Sequence, residues 1–86
     1  MTNINETLAE RQKTHGEFKS HAEISQKLKM VLRERGGGLS DMQREGLDMI
    51  LHKVARILNG NPNHKDHWDD ISGYATLVSR SLEEKK

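Results

Sequence analysis

The chain has 86 residues and a mass of 9.8 kDa, enough for one domain with a thin core. It has no cysteine, which excludes a disulfide framework, a thiolate zinc site and a cysteine nucleophile. The 14 Lys and Arg against 13 Asp and Glu leave a formal net charge of +1, too balanced for a protein that coats nucleic acid, and mean hydropathy is −0.87.

Glycine and turn clusters divide the sequence at Gly16, at Gly36–Gly38 and at Asn59-Gly60-Asn61-Pro62-Asn63. The first segment, about 3–14, carries Ile4 and Leu8 one turn apart and reads as a short helix that needs a partner surface. Gly16 ends it in a left-handed conformation. The second helix is expected over about 21–35. Ser20-His21-Ala22-Glu23 reads as a capping box, and Ile24, Leu28, Val31 and Leu32 form one stripe. The third is expected over about 41–59, opened by the box Ser40-Asp41-Met42-Gln43. Leu47, Ile50, Leu51, Val54 and Leu58 make it the most apolar and therefore the central helix. The fourth is expected over about 65–84, with Asp66, Asp69 and Asp70 in the early turns that favour negative charge. Trp68, Ile71, Tyr74, Ala75, Val78 and Leu82 form its inward stripe.

The pattern predicts an all-α single domain over residues 1–86, a small antiparallel bundle of three main helices plus a short N-terminal helix. The expected core is Leu47, Ile50, Leu51, Val54, Leu58, Trp68, Ile71, Tyr74 and Val78. Gly46 and Gly73 fall inside helices, where close packing is the expected reason. No apolar run approaches the ~18–20 residues of a membrane span, and the start lacks a signal-peptide pattern. The expected location is the cytoplasm.

Three constellations could carry chemistry. Glu45 and Asp48 share a face of helix three; Asp66 and Asp69 repeat that spacing on helix four, with Asp70 beside them. Paired carboxylates on two helices could hold Mg²⁺ through oxygen, with Lys53 and Arg56 facing phosphate. Each pair also has an ordinary reason, as helix-terminal charges or i, i+4 partners. His64 and His67 flank Asp66 in a spacing that matches no zinc signature, so solvated histidines are expected there, and His52 is expected to be hydrogen-bonded between helices. Lys27, Lys29, Arg33, Arg35 and Arg44 surround the glycine loop. That loop lacks the P-loop lysine, and stacking aromatics are missing, so nucleic acid is not an expected partner.

Glu10-Arg11, Gly16-Glu17-Phe18, the run His52-Lys53-Val54-Ala55-Arg56-Ile57-Leu58-Asn59-Gly60 and the run Asp66 to Ala75 resemble small phage and prophage proteins assigned to a domain of unknown function. The pattern departs at Gln12 and His15. The resemblance implies a phage-type accessory protein in the host cytoplasm, and it supplies no reaction. Glu45-x-x-Asp48 and Asp66-x-x-Asp69 also resemble the acidic pairs of MazG-like nucleoside triphosphate pyrophosphohydrolases, with Asp in both places of the second pair. The leading expectation is an accessory protein acting by protein–protein contact, a homodimer through helix one or four included, with no cofactor. The alternative is the Mg²⁺-dependent pyrophosphohydrolase.

Overall fold

The computed structural model describes residues 4–83, which form four α-helices and no strand. They are α1 (Ile4–His15), α2 (Phe18–Arg35), α3 (Asp41–Asn59) and α4 (Lys65–Glu83). The expected ends at residues 3 and 84 lie outside the described residues. No described helix is long and apolar enough to cross a membrane.

Local chemistry accounts for three of the helix ends. Gly16 has φ +76° and its N–H donates to the Gln12 carbonyl at 2.9 Å, closing α1 as expected. The Ser40 box forms in full: Gln43 N–H donates to Ser40 Oγ at 3.2 Å, and Ser40 N–H donates to Gln43 Oε1 at 2.9 Å. Gly60 N–H donates to the Arg56 carbonyl at 2.9 Å and ends α3.

The Ser20 box does not form. The helix already starts at Phe18 with Glu17 as its cap, and no side chain caps it. A single left-handed glycine reverses the chain so sharply that helical hydrogen bonding resumes at once, with His21 N–H donating to the Glu17 carbonyl at 3.0 Å. Ser20 is thereby inside the first turn.

α3 is the central helix. α2 packs along it and so does α4, but these two do not pack on each other, and α1 rests against α2 and α3. His21 meets His52 on the α2 side; on the α4 side Gly46 meets Val78 and Lys53 pairs with Asp70, so α4 runs antiparallel to α3. The result is elongated, 48 × 26 × 25 Å, with a radius of gyration of 15.0 Å. A compact domain of this length would have about 12 Å.

This open arrangement changes the core. Ala55 is the one buried apolar side chain among the described residues; His21, Ser25 and His67 are buried with it. Ile50, Leu51, Val54, Ile71, Tyr74 and Val78 are half-buried. Leu47, Leu58, Trp68 and Leu82, expected inside, are exposed at 39%, 64%, 54% and 48%, and Ala75 is exposed as well. A stripe on a helix shows which face is apolar, and it does not guarantee an element to cover that face. Trp68 braces the α3–α4 loop instead, its indole N–H donating to the Pro62 carbonyl at 2.8 Å.

The two interior glycines separate. A Cβ on Gly46 would meet Val78 Cγ2 at 2.5 Å, so the helices approach through that glycine as expected. Nothing lies within 4 Å of a Cβ on Gly73, so packing does not explain it. Gly73→Ala should stabilise the protein by about 0.5–1 kcal/mol, and Gly46→Ala should destabilise it. Paired thermal melts check the opposite signs.

Candidate functional site

The features with most chemistry gather where α1 turns into α2 and α3 turns into α4. Asn59, at the end of α3, donates from Nδ2 to the carbonyls of His15 at 2.9 Å and Glu17 at 2.8 Å. The Thr14 carbonyl accepts from Asn61 N–H at 3.0 Å and faces His67 Nε2 at 3.3 Å. A carbonyl only accepts, so that contact needs the hydrogen on Nε2 of His67. Gly16 lies against the Asn59 carbonyl and Gly60 against the Thr14 carbonyl, each too close to admit a Cβ. Two tight turns, 44 residues apart at His15 and Asn59, are thereby locked together.

A polar cleft of about 410 Å³ opens beside this lock. Arg11 from α1, Lys53 and Arg56 from α3, and His64, Asp66 and Asp70 from the α4 end border it. Lys53 Nζ and Asp70 Oδ2 pair at 2.8 Å. The Lys53 hydrogen bond holds the Asp70 carboxyl below the usual carboxylate range. Arg56 is half-buried and has no hydrogen bond or ion pair among the described residues. Burial lowers its pKa first and the Arg11 charge second, while Asp70 and Tyr74 oppose the shift.

The histidines are organised. His15, His64 and His67 form one group, with ring centroids 4.6–6.3 Å apart. His21 and His52 form another, edge to face at 4.6 Å between α2 and α3. His67 is 2% exposed, so the solvated role expected for it is wrong; the turn lock closes over it. Among the described residues His52 lies between helices, but in ring contact with His21 and not through the expected hydrogen bond. Burial, then the Arg56 charge, pushes the pKa of both His15 and His52 down to about 4. Burial also lowers those of His21 and His67.

The acidic residues divide. Asp66 and Asp70 border the cleft with Lys53 and Arg56. Asp69 turns to Lys65, at 2.7 Å on the exposed side of α4. Glu45 is exposed and Asp48 half-exposed on α3, and neither borders the cleft. Among the described residues, no three His, Asp or Glu side chains are grouped to hold a metal ion. Sequence reasoning missed Arg11, Thr14 and His15 as cleft residues. Glu10-Arg11 and Gly16 stood out as a motif, but nothing local says that α1 lies over the end of α3.

The fold and cleft define a small all-helical domain with paired Arg and Lys facing carboxylates. The chain belongs to a family described as a domain of unknown function, DUF6378, which matches residues 1–82. It is also similar to UDP-N-acetylmuramoylalanine--D-glutamate ligase of Anaeromyxobacter dehalogenans (strain 2CP-C), at 38% identity over 42 residues. That match covers 49% of this chain and 9% of the ligase. No solved structure matches the chain.

Proposed function

We propose that this is a phage-type accessory protein that works by protein–protein contact, and that its first partner is a second copy of itself. The carrying observation is uncovered apolar surface: Leu47, Leu58, Leu77 and Leu82 of α3 and α4 are 39–64% exposed. Exposed area is 6523 Å², against roughly 5,200 Å² for a compact monomer of this mass. The excess exceeds the ~800 Å² per partner that a standard interface covers. A groove of about 450 Å³ between α3 and α4, bordered by Leu39, Leu47, Ile50, Ala75, Val78 and Leu82, is the face that a second copy covers. The half-closed layer of helices then becomes a closed antiparallel bundle. The resemblance to phage and prophage proteins supports the accessory role.

The chain has no cysteine, so an introduced one reports a single position. Ser79 borders the groove, and Glu23 is exposed on α2. Under mild oxidation, Ser79→Cys should yield a covalent dimer much faster than Glu23→Cys. Equal, slow cross-linking of both would contradict the proposal.

A second reading, the MazG-like Mg²⁺-dependent pyrophosphohydrolase, is favoured by the grouping of Lys53, Arg56, Asp66 and Asp70 at one cleft. It requires Glu45 and Asp48 to join them. Hydrolysis of a nucleoside triphosphate that needs Mg²⁺ and is lost in Asp48→Asn would favour this reading over the first.

A further inference from the structure

We propose that the recess between α1, the start of α2 and α3 binds a small planar aromatic anion, with Arg11 and Arg56 holding the anionic group and Phe18 with the His21–His52 pair receiving the ring. The recess has a volume of about 370 Å³ and is bordered by Leu8, Arg11, Phe18, His21, His52 and Arg56. That lies within the ~300–1,000 Å³ of small-molecule sites.

Its charge is one-sided. Arg11 and Arg56 border it and no carboxylate does; Glu10, Asp66 and Asp70 border the neighbouring polar cleft instead. The two guanidinium charges oppose each other, and neither has an ion-pair partner among the described residues. The half-buried Arg56 guanidinium has lost hydration, and Asp70 and Tyr74 offset that loss only through space, without an ion pair. A phosphate or carboxylate group between the two would restore the balance, because guanidinium presents paired N–H donors to paired oxygens.

The rest of the wall suits a ring. Phe18 is 79% exposed, the most exposed large apolar side chain described, although it begins a helix beside a recess. Its ring centroid is 6.1 Å from that of His21, which in turn meets His52 at 4.6 Å. His21 is 5% exposed, and its buried Nδ1 has no hydrogen-bond partner. Burial lowers the pKa of both imidazoles and so favours their neutral form, which leaves positive charge on the arginines and presents aromatic edges and faces to a ring. The recess is formed by α1, α2 and α3, away from the α3–α4 groove, so it does not depend on self-association.

The test is titration of phenyl phosphate into the full chain, followed by backbone amide shifts. Saturable shifts at Arg11, Phe18 and His52 are expected, with affinity about tenfold or more above inorganic phosphate, which corresponds to about 1.4 kcal/mol. Arg11→Gln should weaken phenyl phosphate about tenfold. Phe18→Ala should reduce it to the level of inorganic phosphate. Both side chains are exposed, so neither change threatens folding. Phenyl phosphate binding no better than inorganic phosphate, shifts confined to Lys53 and Asp70, or an unaffected Arg11→Gln variant would each overturn the proposal. Binding to a species of 9.8 kDa would sustain this site while removing the self-association reading.

Discussion

Gly16→Ala should destabilise the protein by about 2–5 kcal/mol. Its φ of +76° costs an L-residue about 1–2 kcal/mol. A Cβ would also run into the Asn59 carbonyl, and forcing that contact apart costs about 1–3 kcal/mol more. The displaced turn would weaken the Asn59 hydrogen bonds to His15 and Glu17. A chain of this length has about 4–13 kcal/mol of stability in all, so the loss is a large fraction. Gly37→Ala is the control, because nothing lies within 4 Å of a Cβ there. Chemical denaturation of both variants should move the Gly16→Ala midpoint far and the Gly37→Ala midpoint little. Equal midpoints would mean that the two turns are not locked.

Acidification should destabilise the protein between about pH 6.5 and about pH 4. His15 and His52 are lowered from 6.5 to about 4 in the folded state, chiefly by burial. The unfolded chain therefore binds more protons across that window, and stability rises with pH there. The contribution of these neutral histidines is complete above the unfolded value and is lost as pH falls toward the folded one. Their rings are half-exposed, so the full shift is discounted for solvent screening to about 1–2 kcal/mol per histidine. Lowered values for His21 and His67 act in the same direction. Melting temperature should drop steadily across the window, and His52→Asn should reduce the slope. A flat profile from pH 6.5 to pH 4 would show that the histidine groups are not held neutral.

Local signals in the sequence were reliable where chemistry acts over a few residues. Ser40 with Gln43, Gly16 after α1 and Asn59-Gly60 after α3 each mark a helix end that forms. Ser20 with Glu23 has the same local pattern and fails, because Gly16 and Glu17 reverse the chain early enough for the helix to start first. What sequence could not reach is contact across the chain. Asn59 has a local reading as a helix stop, yet its amide is spent on His15 and Glu17. His67 reads as a polar residue near a helix start, yet it is buried under a turn from α1. The apolar stripes of α3 and α4 were legible, but the uncovered face was not, since coverage depends on whether α2 and α4 meet across α3. For the same reason Lys53, Arg56, Asp66 and Asp70 could be expected near one another, while Arg11 could not be added to them.

Sedimentation equilibrium of the unmodified chain over a wide concentration range tests self-association most directly. Each subunit has a mass of 9.8 kDa. Self-association predicts a mass that reaches twice that value at micromolar concentrations and falls toward the monomer on dilution. A single species at the subunit mass at every concentration would contradict it.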